Sequence, residues 1–362
     1  MNTMVDPREF SVALSRVMKL AAKRSPVPAL EQVKVSFTPS ACTLTATDLE
    51  QWGVMDLPAE GESFSFVLGN AKEVQKMLDR QREPLHIAFT PDEKCPLVKL
   101  SCGGRESRFF VSSTEDYPEM PQVEAGQSYP VDSGVLLHQV SAVSYAASAD
   151  TESRPSLSGV RFWGREIYCV DGYRMAVADN EQMHAAVPFV VPERMFRSWR
   201  TLFPCGNVVL AVGKRFLQVT GNGVMALFRL LETDTLRPEN VFPTSCRERY
   251  QVDPKEYARE LEYLCGFVKA SRKYPVAFRH GRLSIMAANG EYSTKINVAG
   301  AAEVVYGFSA AYMLEAMKAF GDQECVTVEV SHPKGPIVLR ANDGRNTLVL
   351  PVHLKDEGIQ AA

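Results

Sequence analysis

The chain has 362 residues, of which 45% are hydrophobic and 23% charged, and its formal net charge is −3. This composition is ordinary for a soluble globular protein, and the length suggests two or three domains. A protein that holds DNA by bulk electrostatics alone is usually basic, whereas this chain is slightly acidic. A DNA-binding protein of this charge must therefore collect its positive charge on one face or bind DNA without a tight grip. The first ten residues contain no apolar signal core and no apolar run reaches membrane-spanning length, so we expect a cytoplasmic protein.

Three helix openings resemble one another along the chain. Each places an aspartate (Asp6, Asp132 or Asp253) before a segment whose apolar residues recur at helical spacing. An aspartate at this position caps a helix by accepting hydrogen bonds from the free backbone N–H groups of its first turn. Proline, a favoured first helical residue, directly follows two of them. The aspartates lie 126 and 121 residues apart, which indicates a repeat on the scale of a whole domain.

The same order of elements follows each opening. A strand with alternating apolar residues comes first, at residues 33–37, 160–162 and 276–278. A second strand then ends in a polar turn, at Asp48, Asp171 and Asn289. A second helix begins at Asn70, Pro192 and Ser309, and paired strands follow it. Alternation with a period of two favours antiparallel sheets that have one buried face.

Two linker segments separate the repeated units. Residues 114–132 are acidic and contain three prolines, and residues 232–253 form the second linker. Proline disfavours a continued helix or a central strand at such points. We therefore predict an α+β protein of three repeated domains, at residues 1–125, 126–247 and 248–362, each with two helices packed against antiparallel sheets. A repeat this long is a domain triplication and not a solenoid; three unrelated α+β domains are the alternative.

Basic residues recur three or four positions apart on several predicted helices, which keeps their side chains near one helical face. These residues are Arg16, Lys19, Lys23, Lys72, Lys76, Arg80, Arg194, Arg197 and Arg200, and Arg24 follows the first group. A solvated face explains any single stripe, whereas three stripes on equivalent helices predict one basic surface. The third repeat weakens the pattern because it mixes lysine and arginine with glutamate. The loop cations Lys269, Arg272 and Lys273 are the residues that could compensate.

The sequence offers no constellation for catalysis. Phosphate-binding, nucleophile-elbow, zinc-protease and dinucleotide-binding motifs are absent, and the eight cysteines form neither a CxxC pair nor a cluster with zinc spacing. Asp48 and Asp171 occupy equivalent turns, which favours turn formation over acid–base chemistry. We therefore expect reduced thiols, no metal, no cofactor and no enzymatic activity.

Four segments resemble the bacterial DNA polymerase III beta subunit, the beta sliding clamp family. Residues 152–162 (ESRPSLSGVRF), 170–179 (VDGYRMAVAD) and 348–354 (LVLPVHL) resemble family motifs, and residues 115–121 (EDYPEMP) resemble the end of its first domain. Each segment alone is weakly specific, but their order on a threefold repeat makes them specific together. The resemblance spans nearly the whole chain. It implies the DNA clamp fold, in which two chains pair head to tail in a ring around double-stranded DNA.

The resemblance also implies an apolar cleft that binds short peptides of the clamp loader, the DNA polymerase and other partners. Carried over by position, the cleft comprises Leu157, Val170, Gly172, Tyr173, Arg174, Met175, Pro238, Val241, Leu348, Leu350, Pro351, Val352, His353 and Leu354. A preformed apolar pocket suits a peptide with one or two large apolar anchors; ordinary core packing is the alternative for Leu157 and Leu348. Val170, Tyr173 and His353 replace the family's usual Thr, His and Arg, and KDEGIQAA follows Leu354 where the family normally ends.

The resemblance assigns further roles outside the cleft. Arg24 and Arg154 match positions that touch duplex DNA, and the homodimer contacts fall on Phe109, Val111, Phe267 and Val268. The implied mechanism is topological, because a closed ring needs only weak phosphate contacts to stay on DNA. Two rivals remain: a non-ring DNA-binding module that grips phosphates directly, and a metabolic enzyme with an unrecognised site. The eukaryotic-type clamp, with two domains per chain, conflicts with three repeats.

Overall fold

The computed structural model describes residues 1–92, 95–124, 126–232, 236–267, 275–287 and 289–354. Six α-helices lie within these residues: α1 (Pro7–Val17), α2 (Ala71–Leu78), α3 (Ser133–Val143), α4 (Met195–Leu202), α5 (Pro254–Cys265) and α6 (Ala310–Ala319). Short 3-10 helices span Pro28–Glu31, Ser144–Ala146, Pro155–Leu157 and Pro238–Asn240. The predicted order, with a first and a second helix in each third of the chain, is confirmed. No helix in the described ranges is long and apolar enough to cross a bilayer.

The strands form antiparallel pairs throughout the described sheets. They are β1 (Asn2–Val5), β2 (Val33–Phe37), β3 (Ala41–Thr47), β4 (Gln51–Gly61), β5 (Phe64–Leu68), β6 (Leu85–Thr90), β7 (Leu97–Cys102), β8 (Arg105–Phe110), β9 (Gln127–Asp132), β10 (Gly159–Gly164), β11 (Glu166–Val170), β12 (Arg174–Asp179), β13 (Ala185–Pro192), β14 (Asn207–Val212), β15 (Phe216–Gly221), β16 (Val224–Arg229), β17 (Glu248–Val252), β18 (Pro275–Arg279), β19 (Arg282–Ala287), β20 (Gly290–Lys295), β21 (Ala299–Gly300), β22 (Tyr306–Ser309), β23 (Val326–Val330), β24 (Ile337–Arg340) and β25 (Asn346–Val349). The predicted α+β class with antiparallel sheets is confirmed.

The three predicted aspartate caps are confirmed. Asp6 Oδ1 accepts hydrogen bonds from the backbone N–H groups of Arg8 and Glu9, at 2.8 and 2.9 Å. Asp132 Oδ1 accepts from the third residue of the next helix at 2.9 Å, and Asp253 Oδ1 accepts from Lys255 N at 2.8 Å. Such a cap contributes about 1 kcal/mol of stability. The repeated aspartates therefore fix where three equivalent helices begin.

The chain divides into two compact units, and the first contains residues 1–137 and 194–230. Its sheet runs in the order β8-β7-β6-β1-β4-β16-β15-β14-β9, with β2, β3 and β5 joined to it beside β4. Helices α1 and α2 bury Leu14, Val17 and Val74 in the core. Trp199 of α4 is also buried, where its ring stacks on Phe228. The apolar faces of all three helices thus point into the unit.

The second unit contains residues 138–193 and 231–362, described as far as Leu354. One sheet runs β13-β10-β11-β12-β25-β24-β23-β17-β21, and a second runs β20-β19-β18-β22. Leu261 and Leu264 of α5 pack with Met313 and Met317 of α6 in its main core. The predicted second domain, residues 126–247, is divided between the two units. The three-domain division stays a prediction.

The linker predictions need correction, because both segments contain strands. Residues 127–132 form β9 and residues 248–252 form β17. Pro130 lies within β9, which is the terminal strand of its sheet and pairs only with β14. The missing proline N–H is tolerated on an edge strand because no further strand needs it as a donor. The linkers are therefore shorter than their composition suggests.

Candidate functional site

Distant stretches of the chain meet beside β12 in the second unit. Strand β12 pairs with β11, which places Met175 opposite Val170, and with β25, which places Met175 opposite Leu348. The pairing continues past β25, because Leu350 N donates a hydrogen bond to Tyr173 O at 2.8 Å. The predicted cleft residues from positions 170–175 and 348–350 therefore lie together.

A small apolar cluster lies at this meeting point, apart from the unit's main core. Its buried members are Tyr168, Val170, Met175 and Val177, and the half-buried Leu157, Trp163, Val241 and Phe242 pack against them. The resemblance implied Leu157, Val170, Met175 and Val241. Four members were not predicted: Tyr168, Trp163, Val177 and Phe242. Burial raises the pKa of the Tyr168 phenol to about 12, so this phenol stays neutral at physiological pH. We call these eight residues the apolar cluster.

A tight turn at Asp171 and Gly172 carries Tyr173 to the surface. Asp171 Oδ1 accepts hydrogen bonds from the backbone N–H groups of Tyr173 and Arg174, at 2.9 and 3.1 Å. Gly172 has a φ of +88°, a left-handed conformation in which any other side chain is strained. Tyr173 is 43% exposed, and its ring stacks on that of Tyr312 with centroids 5.7 Å apart. Tyr312 was missed because nothing in the local pattern of α6 links it to Tyr173.

Arg174, which the resemblance assigns to the cleft, is only 7% exposed, and its charge is paired within the unit. Its guanidinium donates from Nε to Asp171 Oδ2 at 3.1 Å, and it also donates to a Glu315 carboxylate oxygen and to Tyr145 O. The guanidinium also lies 4.6 Å from the ring centroid of Tyr312. Arg174 therefore holds the turn against α6 and the 3-10 helix at Ser144–Ala146.

Tyr145 ties the same 3-10 helix to β25. Its hydroxyl lies 2.7 Å from Thr347 Oγ1, and its ring lies 5.3 Å from the Arg174 guanidinium. Burial raises the pKa of the Tyr145 phenol well above its usual range, so the hydroxyl remains a neutral hydrogen-bonding group. Hydrogen bonds from Arg174 and from Tyr145 thus connect the 3-10 helix at Ser144–Ala146 to the turn before β12 and to β25.

We predict that Arg174→Met lowers the free energy of unfolding by about 3 kcal/mol, because it leaves the buried Asp171 carboxylate without its cation. Chemical denaturation measures this change. Arg154→Met is the matched control: Arg154 is exposed beside the same turn, so the change should stay within about 0.5 kcal/mol. Equal losses in both variants would show that Arg174 does not hold the turn.

The final predicted cleft residues line a neighbouring cavity of about 140 Å³. Pro351, Val352, His353 and Leu354 form one wall, and Gly307 of β22 forms part of another. Val352 N donates to Gly307 O at 2.8 Å, and a Cβ on Gly307 would lie 2.7 Å from Leu354 Cδ2. A glycine is therefore required for the C-terminal segment to cross β22. Residues 355–362 lie outside the described part of the chain.

Burial separates the residues that a ligand could touch from those that support them. Met175 is 1% exposed and Leu348 is also buried, so both form the floor beneath the surface. Pro238 is buried in its 3-10 helix, where its carbonyl accepts a hydrogen bond from Val241 N at 2.9 Å. Leu350, by contrast, is 40% exposed. Tyr173 is also exposed, and Leu157 and Val241 are half-buried, so these four are among the predicted cleft residues that remain accessible.

The basic side chains predicted to contact DNA are all exposed. In the first unit these are Lys19, Lys23, Arg24, Lys72, Lys76, Arg80, Arg194, Arg197 and Arg200; Arg154 lies in the second unit. Several of these basic residues were predicted to lie on helices but lie just outside them. Helix α1 ends at Val17, where i to i+3 hydrogen bonds tighten the chain, so Lys19 and Lys23 follow the helix. Arg80 follows α2 with a φ of +60°, and Arg194 precedes α4.

The residues predicted for dimer contacts lie at two different edges. Strand β8 is terminal in the sheet of the first unit; Phe109 is half-buried there, and Val111, just after it, is buried. Phe110, which was not predicted, is 68% exposed. In the second unit, the exposed Phe267 stacks on Tyr292 of the terminal strand β20, with centroids 4.0 Å apart. Val268, Lys269, Arg272 and Lys273 lie outside the described residues.

The described residues contain no group of three His, Cys, Asp or Glu side chains that could hold a metal ion. The cysteines are free; Cys42, Cys102 and Cys169 are buried, while Cys95 and Cys205 are exposed. What the site offers is an apolar surface on a rigid backbone. A surface of this kind suits a peptide that has one or two large apolar anchors.

Comparison with known proteins places this fold and sequence beside one group. No protein-family model matches the chain. The beta sliding clamp of Synechococcus elongatus is 26% identical over 200 residues, and this match spans only 52% of each chain. The beta sliding clamp of Chlamydia muridarum is 19% identical over 99% of this chain and 100% of its own. The crystal structure of the DNA polymerase beta subunit from Streptococcus pyogenes superposes with a TM-score of 0.87, covering 98% of this chain and 100% of that one at 17% identity. The predicted resemblance and fold are confirmed.

Proposed function

We propose that this chain, a divergent relative of the beta sliding clamps with their fold over its whole length, is itself a sliding clamp. Two copies would form a ring around double-stranded DNA and tether a polymerase to its template. The observation that carries the proposal is the pairing of β12 with β25, which brings the exposed Tyr173 and Leu350 together beside the apolar cluster. A tether of this kind raises the effective concentration of the bound enzyme at the DNA, although the clamp makes no new contact with the substrate.

The peptide would dock on the apolar cluster rather than in a deep pocket. Half-exposed aromatic and aliphatic side chains over a fixed floor are typical of interface hot spots, where a few anchors supply most of the binding energy. Polymerases, the clamp loader and other proteins with short apolar motifs would share this surface. The ring itself would need no cofactor and would catalyse no reaction.

The ring would form from two unlike edges of each chain. Strand β8 presents an unpaired edge with the exposed Phe110, and β20 presents another beside Phe267. Contacts between unlike surfaces generate a closed ring when the rotation that relates neighbouring copies returns to the first copy. A head-to-tail pair would therefore use both edges of each copy.

Retention on DNA would depend on closure and not on tight binding. The exposed lysines and arginines of the first unit can meet phosphates, and such contacts carry no sequence information. A net charge of −3 is compatible with this mechanism because a closed ring needs little attraction to stay in place. A protein with this role works beside the chromosome, so the cytoplasmic location belongs to the same proposal.

The test compares circular and linear DNA. Protein loaded onto a nicked plasmid with a clamp loader and ATP should co-elute with the DNA in gel filtration. Cutting the plasmid once should release it, since a ring slides off a free end. A module that grips phosphates directly would remain bound equally before and after cutting, and that result would support the rival function.

A further inference from the structure

Charge is distributed unequally between the helices of the two units. Helices α1, α2 and α4 of the first unit contain six basic residues and two acidic ones: Arg8, Arg16, Lys72, Lys76, Arg197 and Arg200 against Glu9 and Glu73. Helices α5 and α6 of the second unit contain three basic residues and four acidic ones: Lys255, Arg259 and Lys318 against Glu256, Glu260, Glu262 and Glu315. The three helices of the first unit thus carry a net charge of +4, and the two helices of the second unit carry a net charge of −1.

The cations of the second unit's helices are also largely neutralised within the unit. Lys318 Nζ lies 2.5 Å from Glu262 Oε1, and Arg259 Nε lies 3.1 Å from Glu260 Oε1. In the first unit, Lys72, Lys76, Arg197 and Arg200 form no ion pair within 4 Å among the residues that the structure describes. Their charge is therefore available to an outside anion.

The free cations of the first unit belong to neighbouring helices. Helix α1 packs against both α2 and α4, and the apolar faces of all three are buried. Lys72 and Lys76 are one helical turn apart, and Arg197 and Arg200 are spaced three residues apart. Because the opposite faces are buried, these cations all lie on the solvent side of the helix group.

Building on the proposed clamp function, we infer that DNA inside the ring is attracted by the faces of α1, α2 and α4, whereas the faces of α5 and α6 contribute little. A cation that neutralises a phosphate releases condensed counterions, and this release drives the binding of proteins to DNA. A cation already paired with a carboxylate gains less, and Glu256, Glu260, Glu262 and Glu315 repel the same phosphates. Among these helices, those of the first unit would thus supply most of the attraction for the duplex.

Matched double variants test this inference. Lys72→Ala with Lys76→Ala removes two free cations, and Arg259→Ala with Lys318→Ala removes two cations that are paired with glutamates. The binding of the full-length protein to a short fluorescent duplex is followed by anisotropy across a salt series. The first variant should bind at least fivefold more weakly at low salt, and its salt slope should fall by about one for each phosphate that is no longer neutralised. The second should stay within twofold of the parent.

Equal losses in the two variants, a loss confined to the second, or no loss in either would overturn the inference. Thermal unfolding of each variant checks that these surface changes leave the fold intact. The circular-against-linear comparison remains independent of this result. A protein that is retained on circles but loses DNA affinity equally in both variants would keep the clamp function while refuting the charge asymmetry. If the protein is not retained on circular DNA but its two variants differ as expected, the charge asymmetry is supported and the proposed ring is refuted.

Discussion

Replacing Phe110 with aspartate is expected to convert a two-chain ring into monomers. Phe110 is the most exposed large apolar side chain in the described residues, and it lies on the terminal strand β8. A buried interface anchor contributes about 2 kcal/mol or more, and a buried unpaired carboxylate adds a further cost. A ring of two copies has two such interfaces, so the substitution costs about 4 kcal/mol or more in total. This cost weakens the dimerisation constant about a thousandfold. Light scattering coupled to gel filtration measures the mass directly.

The choice of Phe110 over its neighbours follows from burial. Val111 is buried in the unit's own core, and Phe109 is half-buried, so a carboxylate at either position would also destabilise the fold. Val209→Asp is the matched control, because Val209 is an exposed apolar residue on β14 of the same unit. If Phe110→Asp leaves a dimer while the control behaves as the parent, the β8 edge is not the interface. Loss of the dimer in both variants would indicate a general effect of added charge.

The difference between Phe109 and Phe110 shows where sequence reasoning reaches its limit. The starts of the three aspartate-capped helices could be predicted because an aspartate cap is a local signal, and all three caps are present. The helix start predicted at Pro192 is wrong, since Pro192 ends β13 and α4 begins at Met195. Strand segments could be predicted from their alternation. Which face of a strand is buried depends on its neighbours, and a shift of one residue exchanges the two faces. Among the described strands, β8 pairs with β7 alone, and this pairing cannot be read from the sequence of β8 itself.

The candidate site shows the same division between local and tertiary information. The convergence of residues 170–175 with 348–350 was implied by resemblance and is present in the pairing of β12 with β25. The burial of Arg174 could not be predicted, because its partner Glu315 and the Tyr312 ring lie about 140 residues away along the chain. Met175 reads as a pocket residue in sequence but forms the floor, since strands on both sides cover it. Tertiary pairing thus decides which residues a ligand can reach.

Replacing Leu350 with aspartate is expected to abolish peptide binding while leaving the fold and the ring intact. Leu350 is 40% exposed beside Tyr173, and its backbone N–H, which donates to Tyr173 O, is unaffected by the substitution. The loss of one apolar anchor costs about 2 kcal/mol or more at a hot spot, which weakens binding at least about thirtyfold. A carboxylate facing an apolar ligand increases this loss. Calorimetric titration with a peptide from the C-terminus of a bacterial replicative polymerase measures the affinity.

Two further variants make the result specific to the accessible surface. Val187→Asp places the same charge on β13, a strand separated from β12 by β10 and β11, and should bind the peptide as the parent does. Met175→Ala acts on the floor of the site, so it should lower the free energy of unfolding by about 2–5 kcal/mol. Because Leu350 is half-exposed and Met175 is not, only the Leu350 change separates binding from folding. If Leu350→Asp binds as tightly as the parent, peptides dock elsewhere on the chain, and the assignment of the surface around Tyr173 and Leu350 as the partner site is wrong.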